Sequence, residues 1–121
     1  MDQAALVNFD IEKAKHVINA LDGAGHPPEV AMWAYLPQYD EWRFVLSSSH
    51  IHGYEEMVAQ LRSAGVMPSS RPSIYLREIS DPFVIELRKK FAGLNPEIGH
   101  RISSQYFGKQ YVDEAYVYRI R

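Results

Sequence analysis

The sequence predicts an α+β fold: a single domain over residues 1–121, with a mainly antiparallel sheet of about five strands packed with about three helices. Three observations carry that prediction. Ala31-Met32-Trp33-Ala34-Tyr35-Leu36 turns through Pro37-Gln38-Tyr39-Asp40 into Glu41-Trp42-Arg43-Phe44-Val45-Leu46, which reads as an aromatic hairpin. A second hairpin closes the chain around Gly108-Lys109. Between and before them lie segments with helical apolar spacing, giving the order α-ββ-α-β-α-ββ.

Each element has a local reason. Ile11, Ala14, Val17, Ile18 and Leu21 recur at helical spacing, with Asp10 as expected N-cap and Gly23 and Gly25 as stops. His26-Pro27-Pro28 forbids continuation and delivers the chain into a strand over about Glu29 to Leu36. Its partner runs from about Glu41 to Ser48. If Leu36 pairs with Glu41, Tyr35 faces Trp42 and Trp33 faces Phe44, so four large rings share one sheet face. The first strand is apolar on both faces, which places it in the middle of the sheet. A helix over about Gly53 to Ala64 follows, with Tyr54, Met57, Val58 and Leu61 as its apolar stripe. Gly65 ends it.

The stretch Val66-Met67-Pro68-Ser69-Ser70-Arg71-Pro72 reads as a connector, and Ser73 to Ile79 as a strand. Asp81 is an expected N-cap, with Pro82 in the favoured first helical position and Phe83, Leu87 and Phe91 facing inward. Gly93 to Gly99 reads as a loop. Strands over about His100 to Phe107 and Gln110 to Arg121 are joined by Gly108-Lys109 in a type II′ turn. Regular alternation in the last strand puts Val112, Glu114, Tyr116, Tyr118 and Ile120 on one face. Tyr111, Asp113, Ala115, Val117 and Arg119 fall on the other, a face suited to partial exposure. So apolar a strand is a risky bare edge, and internal pairing is expected for it.

Composition excludes several function classes. Hydrophobic residues make up 46% of the chain and aromatics 12%, enough to bury a core. A formal charge of −2 gives no global pull toward nucleic acid or an anionic membrane. No apolar run approaches the roughly 20 residues that span a bilayer. The segment Met1-Asp2-Gln3-Ala4-Ala5-Leu6-Val7-Asn8 lacks the basic and apolar regions of a signal peptide, so a cytoplasmic location is expected. With no cysteine, disulfides, thiolate nucleophiles and Cys-based zinc sites are excluded together. Phosphate-loop, dinucleotide-binding, nucleophile-elbow and zincin motifs do not occur.

Three clusters remain as candidate sites. In Ser47-Ser48-Ser49-His50-Ile51-His52-Gly53-Tyr54-Glu55-Glu56, an extended backbone points His50 and His52 the same way. Two imidazoles with Glu55 or Glu56 one turn into the next helix are a weak pattern for a metal site or a general base. The competing reading is a polar strand end whose glutamates suit a helix N-terminus. Glu114, amid apolar strand neighbours, is a candidate acid or base. Pairing of Phe107 with Gln110 sets Ser103 opposite it and Arg101 one diagonal step away, so a structural ion pair is the simpler reading. Arg88, Lys89 and Lys90 form a possible basic patch for phosphates, or complement the helix dipole at a C-terminal end. Tyr111, Tyr116 and Tyr118 form a possible protein interface.

Ala31-Met32-Trp33-Ala34-Tyr35 with Asp40-Glu41-Trp42-Arg43-Phe44-Val45, and Asp113-Glu114-Ala115-Tyr116-Val117-Tyr118-Arg119 near the end, resemble a group of short uncharacterised bacterial proteins. The resemblance implies bacterial origin and a cytoplasmic α+β domain. It brings no activity and no catalytic residue with it. The expected function is therefore a non-enzymatic protein-interaction or accessory domain. Its partner is another protein or a second copy of itself, a homodimer, and no metal or other cofactor is called for. The alternatives are a small metal-dependent hydrolase or nuclease built on His50 and His52, and a weak nucleic-acid binder using the basic end of the third helix.

Overall fold

The computed structural model describes residues 8–68, 72–92 and 99–121. They form α1 (Asn8–Gly23), β1 (Val30–Leu36), β2 (Glu41–Ser47), α2 (Tyr54–Ser63), β3 (Ile74–Leu76), α3 (Pro82–Lys90), β4 (His100–Phe107) and β5 (Gln110–Ile120). This is the element order read from the sequence. The 5-stranded sheet runs β3-β2-β1-β5-β4, and every neighbouring pair is antiparallel except β2 with β3. Part of the expected connector, at 69–71, and most of the expected loop before β4, at 93–98, lie outside the described residues.

The doubly apolar β1 is the central strand, and all of its residues are buried. Val30, Met32, Ala34 and Leu36 face Phe83, Val84 and Leu87 of α3. Ala31 and Trp33 face the other way, toward Ala14, Val17, Ile18 and Leu21 of α1 and Met57 and Leu61 of α2. One sheet thus has a helical layer on each side. The expected register holds, with Tyr35 opposite Trp42 and Trp33 opposite Phe44. Their ring centroids lie 5.8 and 5.5 Å apart. Trp33, Tyr35 and Phe44 are buried, whereas Trp42 is only partly covered.

Helix ends obey backbone chemistry. At Gly65, φ is 84°, and its N–H bonds the carbonyl of Arg62 while that of Val66 bonds Leu61. These two bonds cap the last carbonyls in a left-handed Schellman turn that favours glycine. Gly25 and His26 repeat the pattern on Asp22 and Leu21. Asp81 caps α3 as expected, its carboxylate accepting the Phe83 N–H at 2.9 Å with Pro82 just inside. Gly108 takes φ 65° and Lys109 does not share the positive sign, which fits the expected type II′ turn.

Four expectations need correction. Asp10 lies inside the first turn of α1, because the helix already begins at Asn8. Tyr54 is 55% exposed: at the first residue of α2 it precedes the stripe that Met57 and Leu61 bury. The strand expected over Ser73 to Ile79 shrinks to three residues, since only these follow β2 before the chain turns toward the Asp81 cap. The fourth concerns β5.

Against β1, β5 shifts register: Ala31 pairs with Arg119 but Met32 with Val117, leaving Tyr118 as the extra residue of a β-bulge. The bulge breaks the alternation between Val117 and Ile120, and a second change of face falls between Val112 and Ala115. Val112, Ala115, Val117 and Ile120 all join the α3 cluster, and Ala115 and Val117 are fully buried instead of partly exposed. The bulge also aims two consecutive side chains at α1. Tyr118 donates its hydroxyl to the Ile11 carbonyl at 2.8 Å. Arg119 clasps both carboxylate oxygens of Asp22 at 2.9 Å, and this bidentate pair holds the Asp22 carboxyl below the ordinary carboxylate range. β5 itself is internal, between β1 and β4, as its apolar sequence requires.

Candidate functional site

The loop carrying His50 and His52 is shaped by its own polar groups. Buried Ser48 donates its hydroxyl to the Pro27 carbonyl at 3.1 Å and accepts the His50 N–H at 3.1 Å. Ser49 donates its N–H and hydroxyl to the Glu29 carboxylate at 2.6 and 2.7 Å. Glu56 reaches back to accept the His52 N–H at 3.1 Å, a helix-start role of the kind capping glutamates play. His50 and His52 are both exposed on either side of buried Ile51, and Glu55 is exposed on α2. Among the described residues, no group of three or more His, Asp or Glu side chains is placed to hold a metal ion.

Glu114 does lie opposite Ser103, with Tyr35 as its neighbour on β1. It is half-buried, as expected, and lies beside Arg101. Its side chain is 47% exposed and meets Arg101 at 4.0 Å, and surface pairs of this kind contribute about 0–1 kcal/mol. The basic residues of α3 each have a separate partner among the described residues. Arg88 donates to the Arg121 carbonyl at 2.6 Å, Lys89 pairs with Glu86 at 3.7 Å, and Lys90 sits over the Phe107 ring. Tyr118 belongs to the core, and its burial raises its phenol pKa. Tyr116 is half-buried under the Arg101 guanidinium, 4.8 Å from the ring centroid. Tyr111 packs on Tyr106 at 5.0 Å, and Tyr106, 66% exposed, is the outward tyrosine of the closing hairpin.

Two features were not singled out in the sequence. The first is a surface stack in which Arg43 covers Tyr39 at 4.3 Å, Tyr39 meets Tyr75 edge-on at 5.9 Å, and Arg77 covers Tyr75 at 4.9 Å. Arg77 is ion-paired to Asp81. Burial, then the contact with Tyr39, raises the Tyr75 phenol pKa. A groove of about 480 Å³ between Tyr75, Phe83, Phe107 and Lys109 flanks this stack on one side. Another of about 410 Å³ runs past Ile51, Tyr54 and Ile74 on the other. A third, of about 470 Å³, lies between Glu12, Lys15 and His16 of α1 and the bulge residues. None of these three is lined by His50, His52, Glu55, Glu56 or Glu114. The spacing Tyr39–Arg43 and Tyr75–Arg77 was the available signal, but only the β2–β3 pairing brings the two halves together.

The second feature is the contrast between the two sheet edges. β3 is short, with three residues, and continues into the stacked, ion-paired Arg77. β4 spans 8 residues, and its outer side pairs with no strand among the described residues. Its charge is a single Arg101 near one end. Natural edge strands are guarded by brevity, lysines, prolines or bulges. By that measure β3 is guarded and β4 is open. Comparison with protein-family models, curated proteins and solved structures finds no match to this chain. No helix among the described residues is long and apolar enough to cross a membrane.

Proposed function

We propose that this chain is a bacterial, cytoplasmic, non-enzymatic protein-interaction or accessory domain. The observation that supports the reading best is the β4 edge, whose outer side pairs with no strand among the described residues and which carries the outward Tyr106. An unguarded strand edge is a template on which another chain adds by backbone hydrogen bonding. The positions of the candidate catalytic groups also favour binding over catalysis. Glu56 is engaged with a backbone N–H, Glu114 with Arg101, and the two imidazoles face solvent outside the grooves. Chemistry by general acids and bases needs such groups convergent on one reacting atom.

Elemental analysis of purified, untagged protein tests the reading against its main rival. The expected outcome is no stoichiometric zinc, manganese or nickel, and no change of metal content in the His50→Ala, His52→Ala double variant. One metal per chain in the parent, lost in that variant, would replace the binding reading with a metal-dependent hydrolase. Affinity for nucleic acid that falls steeply with salt would instead point to the basic residues of α3.

A further inference from the structure

We propose that the partner of the β4 edge is a second copy of this chain, added antiparallel about a two-fold axis near Ser103 and Ser104, so that one sheet continues through both protomers. The inference rests on the reading of the domain as a protein binder and commits it to one occupant. Three properties of β4 favour its own copy. Its middle, Ser103, Ser104 and Gln105, is uncharged, with both serines exposed, so two such segments can approach without desolvating a charge. Arg101 sits toward one end and Tyr106 toward the other. Antiparallel pairing therefore keeps the two Arg101 side chains, each held by its own Tyr116 ring and Glu114, at opposite ends of the seam. Parallel pairing would set Arg101 against its own copy, and like charges directly opposite are destabilising. Third, a strand edge is self-complementary under a two-fold axis, the commonest symmetry of soluble oligomers. The guarded β3 edge offers none of these features.

Sedimentation of the full chain across the micromolar range tests the pairing. The expected result is a mass that rises from 13.9 kDa toward twice that value with concentration. Ser103→Lys with Ser104→Lys introduces four like charges at the two-fold axis of a dimer, and should hold the chain at the monomer mass. Both side chains are exposed, but Ser104 donates its hydroxyl to Asp113 at 3.1 Å, so at a concentration where the parent is monomeric the thermal midpoint of that variant should match that of Ser103→Ala with Ser104→Ala, which loses the same bond. Ser103→Ala with Ser104→Ala keeps the edge neutral and should associate as the parent does. A parent that stays monomeric at every concentration overturns the pairing, and so does a lysine variant that dimerises as readily as the parent. Either result, without bound metal, refutes this occupant alone. Metal lost with His50 and His52 is the separate outcome that refutes the binding reading.

Discussion

Trp33→Ala removes the ring that ties three strands together beneath α1 and α2. Trp33 is 4% exposed. It packs on Phe44 of β2 at 5.5 Å, and Phe44 meets Tyr118 of β5 edge-on at 5.9 Å. The walls of the resulting cavity are sheet backbone on one side and the Val17, Leu21, Met57 and Leu61 side chains on the other, so collapse into it is limited. Truncating a buried Trp in such a place costs roughly 3–5 kcal/mol, against a typical domain stability of about 5–15 kcal/mol. Urea unfolding reads this directly. With a slope of about 2 kcal/mol/M, a loss of about 4 kcal/mol lowers the midpoint by about 2 M. Trp42→Ala is the internal comparison: its ring is only partly covered, so it should lose less than half as much. A loss under about 1 kcal/mol for Trp33→Ala would refute the reasoning, because the ring would then have to be exposed and its face available to a partner.

Three further outcomes follow from the bulge and the first turn. Tyr118→Phe deletes the hydroxyl that bonds the Ile11 carbonyl and should cost about 0.5–1.5 kcal/mol in the same urea assay. The Asp22 carboxyl is held below its ordinary value by Arg119, so its stabilisation is complete above the ordinary carboxylate range and is lost as pH falls through that range and below it. Asp22→Asn should accordingly flatten part of the acid limb of a stability-against-pH curve, and an unchanged limb would contradict the pair. Tyr35 donates its hydroxyl to Asp40, which pushes its pKa up to about 12. In an absorbance titration its phenolate should therefore form above the ordinary phenol range, with Asp40→Asn returning it toward that range.

Much of this fold was legible because local and global signals agree. Apolar residues on both faces of β1 could only belong to a central strand, and the turn Pro37-Gln38-Tyr39-Asp40 fixed the pairing of Trp33 with Phe44. Asp81-Pro82 and Gly108-Lys109 carry their own backbone chemistry. The bulge at Tyr118 was hidden, because Val112, Glu114, Tyr116, Tyr118 and Ile120 imitate unbroken alternation while the pairing partner, β1, decides where the register slips. Asp10 misled for a similar reason, since an acidic residue suits both an N-cap and a first helical turn. The candidate site was less legible still. Openness of an edge depends on strand order, and the Tyr39–Tyr75 stack depends on β3 returning beside β2 after α2, neither of which leaves a local mark in the sequence.

Self-pairing of the β4 edge can be measured directly, because the chain contains no cysteine. Ser103→Cys places one thiol per chain beside the proposed two-fold axis. Antiparallel pairing there brings two such residues within the roughly 4.4–6.8 Å Cα separation that a disulfide spans. Ser63→Cys, exposed at the end of α2, serves as the control. Under mild oxidation at equal concentration, the Ser103 variant should convert rapidly to a covalent dimer and the control hardly at all. Equal, slow cross-linking of both variants would contradict the pairing.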